Sequence, residues 1–268
     1  MANSALAVLE SALRVKKLDR TLTTALPPVE QSAEACAQTG VAAVDACLRN
    51  GMPRGQLSEL TGPRSAGCTS LLLQTMATAT QRGELVALVD TFDRLDVASM
   101  AAAGADLGRV LWIRGQASGP PEWALDRGFK ALNLVLQAGG FGLVAIDLAD
   151  VPVRMLRAVP FTTWLRVQRA VEGRDTACVL VASEPIARSA GGLTLTLTGR
   201  TSWTGTNARP RMTGAEMKMR VVSPRRRVDG EVAIRATAYV ETGLPSYVEA
   251  GLSSNGAAGL SSNVAAGL

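Results

Sequence analysis

The chain has 268 residues, 47% of them apolar, a formal charge of +5 and no histidine. That length and apolar content support one substantial α/β core with small attachments. The missing histidine excludes a Ser–His–Asp triad, a histidine general base and the common His-containing zinc sites. Four scattered cysteines (Cys36, Cys47, Cys68 and Cys178) form no CxxC pair and read as buried reduced thiols. No stretch approaches the roughly 18 uninterrupted apolar residues of a membrane helix. The first twenty residues mix acid and base among apolar positions, unlike a secretion signal. A soluble cytoplasmic protein with no membrane contact is expected.

From about Ser4 to Asp19 the spacing of Leu6, Leu9 and Leu13 predicts an amphipathic helix. Its stripe needs a surface, either the chain's own core or another subunit. A polar linker with Pro27-Pro28 follows, so residues 1–38 are read as helix and tether. Thr39-Gly40 opens a second helix, and Asn50-Gly51 ends it. Apolar runs then alternate with helical patterns. Strands are expected at GQLSELT, LVALVD, VLWIR, FGLVAID and ACVLVAS, with helices near 71–79, 97–103, 123–137 and 164–171. Continuous apolar strands separated by helices predict a mainly parallel sheet covered on both faces. Beyond Ser183 the segments LTLTLTG, EMKMRVVS and VAIRATAYV alternate apolar with polar residues, as antiparallel strands do. The core domain is therefore placed at 39–245. Residues 246–268, with their AGLSSN repeats, are read as a disordered low-complexity tail.

Between a predicted strand and helix lies Gly62-Pro63-Arg64-Ser65-Ala66-Gly67-Cys68-Thr69-Ser70. A phosphate loop of the form G-x-x-x-x-G-K-[ST] belongs at such a junction. Its backbone N–H groups and helix N-terminus hold phosphates, its lysine reaches the outer phosphates and its hydroxyl ligates magnesium. Gly62, Gly67 and Thr69 stand in place, with Cys68 at the lysine position. Cysteine has neither the charge nor the reach. The candidate nucleotide-site residues are thus Gly62, Gly67, Cys68, Thr69 and Asp147. The loop reads three ways: an inert strand–helix turn, a weak anion or ATP–magnesium site, or a working ATPase centre.

The run from Asn50 to Ser70 (NGMPRGQLSELTGPRSAGCTS) resembles the approach to the Walker A loop in the RecA recombinases. That family reads G-L-P-x-G-R-[IV]-x-E-[IV]-x-G-P-E-S-S-G-K-T-T. The resemblance covers residues 5–240 and is specific through the loop. It implies a RecA-like phosphate-loop fold, an adenine-stacking aromatic at position 99, a Walker B aspartate at Asp147 and a water-activating glutamate at position 92. Here position 92 is Phe92 and position 99 is Ser99, leaving Asp93 as a substitute base. Chains of this length and pattern are similar to the ImuA family, more so than to the shorter SulA family. The ImuA resemblance implies a non-catalytic accessory role in the SOS response and translesion DNA synthesis. Its implied partners are RecA, a polymerase-like mutasome component and an error-prone DNA polymerase. The helix bearing Leu6, Leu9 and Leu13 would dock on RecA and limit recombination, and the protein would be nucleoid-associated. A nucleotide-dependent recombinase is the other reading.

Between Ile186 and Arg227 stand Arg188, Arg200, Arg209, Arg211, Lys218, Arg220, Arg225, Arg226 and Arg227, opposed only by Glu216. Such a block suits a polyanion. With Trp203 as a stacking aromatic, these residues form the candidate single-stranded DNA surface. Decoration of edge strands is the competing explanation.

Overall fold

The computed structural model describes residues 35–116, 118–187, 192–206, 209–222, 230–237 and 248–252. A two-residue strand β1 (Cys36–Ala37) comes first, then α1 (Ala42–Leu48) and β2 (Met52–Pro53), which pairs antiparallel with β1. Asp45 sets the entry to α1 by accepting from Thr39 N (2.7 Å), Thr39 Oγ1 (2.8 Å) and Gly40 N (3.1 Å). Arg49 and Asn50 close the helix in left-handed conformations. Packing therefore begins by residue 36, inside the segment expected to be tether, where β1 is buried and paired with β2.

The main sheet then takes shape: β3 (Leu57–Thr61), α2 (Cys68–Gln81), β4 (Val86–Asp90), α3 (Val97–Ala102) and β5 (Val110–Arg114). Next come α4 (Pro121–Ala138), β6 (Leu143–Asp147), α5 (Val153–Ala158), α6 (Phe161–Val171) and β7 (Ala177–Ala182). Four further strands follow, β8 (Thr194–Thr206), β9 (Arg209–Val222), β10 (Gly230–Thr237) and β11 (Val248–Leu252). The nine-stranded sheet has the order β11-β10-β9-β8-β3-β7-β6-β4-β5. From β8 to β5 the pairing is parallel; β9, β10 and β11 extend it antiparallel. This is the α/β, mainly parallel, RecA-like phosphate-loop architecture expected from the sequence.

The apolar runs explain the placement. β4 and β7 are buried along their whole length, and β6 at all but Asp147, as strands covered on both faces must be. Period-two alternation divides the core. Leu88, Ala145 and Val179 join α1 and α2 on one face, while Val89, Val144 and Leu180 join α4 and α6 on the other. There the Phe129 and Trp164 rings meet edge-to-face at 5.1 Å and 81°. β5, at the sheet edge, is only partly covered. Among the described residues no helix is long and apolar enough to cross a membrane.

Two features differ from expectation. Val248–Leu252 pairs with β10, so the first part of the presumed tail from 246 is a strand. An open sheet edge recruits backbone whatever the side chains are. The structure also contains α5, which was not among the expected helices.

Glu59 holds the segment after β7 to the central strand. It is 1% exposed, and its Oε1 accepts from Ile186 N (2.9 Å) and Ala187 N (2.6 Å). Its Oε2 accepts from Thr194 Oγ1 at 3.0 Å. Removing the carboxylate leaves two backbone donors without an acceptor. Glu59→Ala is expected to cost about 3 kcal/mol, seen in a thermal melt as a fall of roughly 6–12 °C in Tm. Glu59→Gln should lose less than half of that, because its amide oxygen still accepts.

Candidate functional site

The loop from Gly62 to Gly67 joins β3 to α2 at the carboxyl end of the parallel strands. Gly67 caps α2 with φ +96° and supplies no side-chain acceptor, so the first N–H groups of the helix face outward. This is the geometry of an anion cradle. Gly62 is required by close approach, since a Cβ there would overlap the backbone oxygen of Leu197, and Gly67 by its positive φ; a Cβ at Gly67 would also meet the flexible end of Met217. The β8–β9 ribbon is thus pressed directly onto the loop.

A cavity of about 640 Å³ opens above it. Gly62, Gly67, Cys68, Thr69 and Asp147 all line this cavity, so the structure brings the five candidate nucleotide-site residues together. Asp90, Asp150, Arg64, Arg94, Phe92, Trp203 and Met217 line it too. Arg64 belongs to the loop motif itself, whereas Asp150, Arg94 and Met217 were not expected from the sequence: they come from separate loops and from β9, and no local pattern joins them.

The electrostatics of the cavity are set by burial. Cys68 is buried, and its thiol is pushed up to about 11, first by desolvation and further by the nearby Asp147 carboxylate. It is a neutral thiol at any ordinary pH. Asp147 is pushed up to about 6, again mainly by desolvation. The hydrogen bond it accepts from Ala149 N (2.9 Å) opposes that rise; Asp90 and Asp150 add to it. The cations of the cavity are at its mouth: Arg64 and Arg94 both pair with Asp150, the Arg94 contact being 3.1 Å.

The loop after β4 is locked by Asp90, which is 2% exposed. Asp90 accepts from Arg94 N (2.9 Å), Leu95 N (2.8 Å) and Trp112 Nε1 (3.1 Å). Phe92 is half-buried against the core face that carries α4 and α6. Asp93, the substitute base considered above, sits at φ +57° in the fork of Arg114, with two contacts of 2.8 Å. Those bonds hold its carboxyl below the usual range, while Arg114 lies 4.5 Å over the Trp112 ring. Ser99 is bonded to Asp96, the N-cap of α3.

The candidate DNA surface separates into two. On β8, Thr201 and Trp203 point to the cavity, and the Trp203 indole donates to Thr201 Oγ1 at 2.9 Å. Arg200 is on the opposite face, beside the exposed Lys218 and Arg220 of β9, which pair in register with Thr198 and Thr196. The β8–β9 register shifts between Ser202 and Trp203, and of these side chains Thr201 and Trp203 line the cavity while Arg200 does not. The expected pairing of this aromatic with that arginine is therefore corrected. Register also sets Glu216 opposite Arg200, and Glu231 opposite Arg220. Arg209 and Arg211 belong to the far end of β9. Arg188, Arg225, Arg226 and Arg227 lie outside the described residues, as do Leu6, Leu9 and Leu13.

Comparison with known proteins places this geometry in a family. Residues 16–153, half of the chain, match the RecA N-terminal domain. The protein RecA of Borrelia hermsii is 28% identical over 120 residues, 45% of this chain and 32% of its own length. RecA of Synechocystis sp. is 32% identical over 112 residues, 42% of this chain and 29% of that one. For RecA of Clavibacter michiganensis the figures are 33% over 122 residues, 44% and 31%. The alignment thus spans about a third of the length of these relatives. With its phosphate loop and Asp147 both inside the matched region, the chain belongs to the RecA N-terminal domain family.

Proposed function

We propose that this protein is a non-catalytic member of its family, an accessory factor of the ImuA type acting in the SOS response and translesion DNA synthesis. The observation that carries the reading is the donor set of the cavity. Phosphoryl transfer needs a phosphate cradle, a metal and a positioned water together. The backbone cradle is kept, but a buried neutral thiol occupies the lysine position. Phe92 offers no proton acceptor, and Asp93, the substitute base expected from the sequence, is committed to Arg114 and does not line the cavity. Both arginines at the mouth are paired to Asp150. These residues fit a nucleoside triphosphate with its metal poorly, and no hydrolytic step is assigned to them.

On this reading the protein works through partners. RecA, a polymerase-like mutasome component and an error-prone polymerase are the implied ones, with the Leu6, Leu9 and Leu13 stripe as the contact that limits recombination. The outer face of the β8–β9 ribbon, with Arg200, Lys218 and Arg220, is its contact with single-stranded DNA, one that grips phosphates without reading sequence.

The test is titration of the purified chain with a fluorescent ATP analogue and magnesium, followed by a phosphate-release assay. No binding below millimolar ligand and no phosphate is the expected result. Micromolar binding with turnover would replace the proposal with a nucleotide-dependent recombinase.

A further inference from the structure

The cavity above the phosphate loop is unbalanced in charge. Three carboxylates line it, those of Asp90, Asp147 and Asp150, against the guanidiniums of Arg64 and Arg94. Both arginines are committed to Asp150 at the mouth, where their side chains are 81% and 62% exposed. Asp90 and Asp147 stand side by side on β4 and β6, paired in register. Asp90 is satisfied by three neutral N–H donors. Among the described residues Asp147 accepts one hydrogen bond, from Ala149 N, and takes part in no ion pair.

The missing counter-charge has a defined place. The pattern G-x-x-x-x-G-K-[ST] carries a lysine at position 68. The Cys68 thiol found there, raised first by its own burial, is raised further by the Asp147 carboxylate. Desolvation chiefly, and the fields of Asp90 and Asp150 after it, hold Asp147 above the usual carboxylate range. A carboxylate withdrawn from water with no cation beside it is an unfavourable arrangement. A cation of the absent lysine's size, brought from outside, relieves it.

The lining selects an ammonium on an alkyl stem over a metal ion. A hard dication needs several oxygen ligands. Asp90 and Asp150 are already taken by N–H donors, and among the described residues no cluster of three acidic or cysteine side chains could hold a metal. One carboxylate suffices for a primary ammonium, through a charge-assisted bond. Cys68, Phe92, Trp203 and Met217 supply walls for the stem. The first N–H groups of α2 repel a cation near Gly67, so the ammonium belongs at the strand ends, away from the cradle.

We propose that this cavity binds a primary alkylammonium group, with Asp147 accepting from the ammonium and the apolar walls covering the stem. The group is carried by a lysine side chain of a partner or by a free amine; the recognition chemistry is the same. The inference rests on the reading that no nucleoside triphosphate occupies the cavity.

The experiment is isothermal titration of the full chain with n-pentylamine and with the peptide acetyl-Gly-Lys-Gly-amide. Their neutral counterparts are 1-pentanol and the norleucine peptide. An ammonium probe is expected to bind at least about tenfold more tightly than its neutral counterpart. Binding of the peptide alone assigns the site to a partner's lysine, and binding of pentylamine alone to a free amine. Asp147→Asn should weaken the interaction at least about tenfold. Cys68→Lys sets the chain's own ammonium beside Asp147 and should abolish it, whereas the neutral Cys68→Ala should leave it within about threefold. Circular dichroism of each variant checks that the fold is kept. Equal affinity for ammonium and neutral probes would overturn the proposal, as would binding unchanged by either Asp147→Asn or Cys68→Lys. ATP–magnesium is titrated in parallel. If neither amine nor nucleotide binds, this inference fails and the proposed function stands; micromolar nucleotide binding without amine binding overturns both.

Discussion

Replacing Cys68 with lysine is expected to raise the affinity for ATP–magnesium by about 10- to 100-fold without producing phosphate. The magnitude follows from the contact restored. A charge-assisted hydrogen bond contributes roughly 1.5–3 kcal/mol, and about 1.4 kcal/mol is a factor of ten in binding. Backbone donors already face the cavity, so the lysine adds a cation to an existing cradle. It also sets a cation beside Asp147, whose carboxylate already bears on the Cys68 thiol. Turnover should stay absent, because Phe92 cannot accept a proton and Asp93 remains in the Arg114 fork. Isothermal titration with a non-hydrolysable analogue and a phosphate assay separate the two halves of this expectation. If Cys68→Lys gained no affinity, the Met217 thioether packed on Gly67 would be the feature that closes the loop to phosphate.

The second large effect is expected at Asp147. Burial pushes its carboxyl from the ordinary value of 3.8 up to about 6 in the folded protein. The sign follows from proton linkage. A carboxyl with a raised folded pKa contributes its stability below the unfolded pKa. That contribution is lost as pH rises through the folded value. Between about pH 4 and pH 6 the unfolded chain ionises this group more readily than the folded one. Above about pH 6 the loss is complete and constant. At about 1.4 kcal/mol per pH unit this amounts to roughly 3 kcal/mol. We discount that to about 2 kcal/mol, because the side chain borders an open cavity. Asp147→Asn keeps an oxygen for the Ala149 N–H and never ionises. The variant should therefore melt roughly 4–8 °C higher than wild type at pH 7.5, with only a small difference near pH 4. Adding magnesium at pH 7.5 gives a further readout. If Asp147 holds a metal, magnesium raises the wild-type Tm by mass action and leaves Asp147→Asn unmoved. Our reading expects neither protein to shift.

Much of this protein is determined by local patterns. Continuous apolar runs such as VALVD and ACVLVA require strands covered on both faces, whatever the rest of the chain does, and they became β4 and β7. The loop from Gly62 to Thr69 was legible because an anion cradle is built from consecutive backbone N–H groups, hence from consecutive residues.

The tertiary structure decided the rest. That Arg64 and Arg94 both meet Asp150, that Met217 rests on Gly67, and that Asp93 is held by Arg114 are contacts between elements distant in the chain. The segment after β7 is likewise held by Glu59, from the central strand. Strand Val248–Leu252 formed from residues with no core pattern, because β10 offered it an unpaired edge. Periodicity records which face of an element is buried and is silent on what lies against that face. The charge state of Cys68 and Asp147 depends on that packing, since burial is what displaces both pKa values.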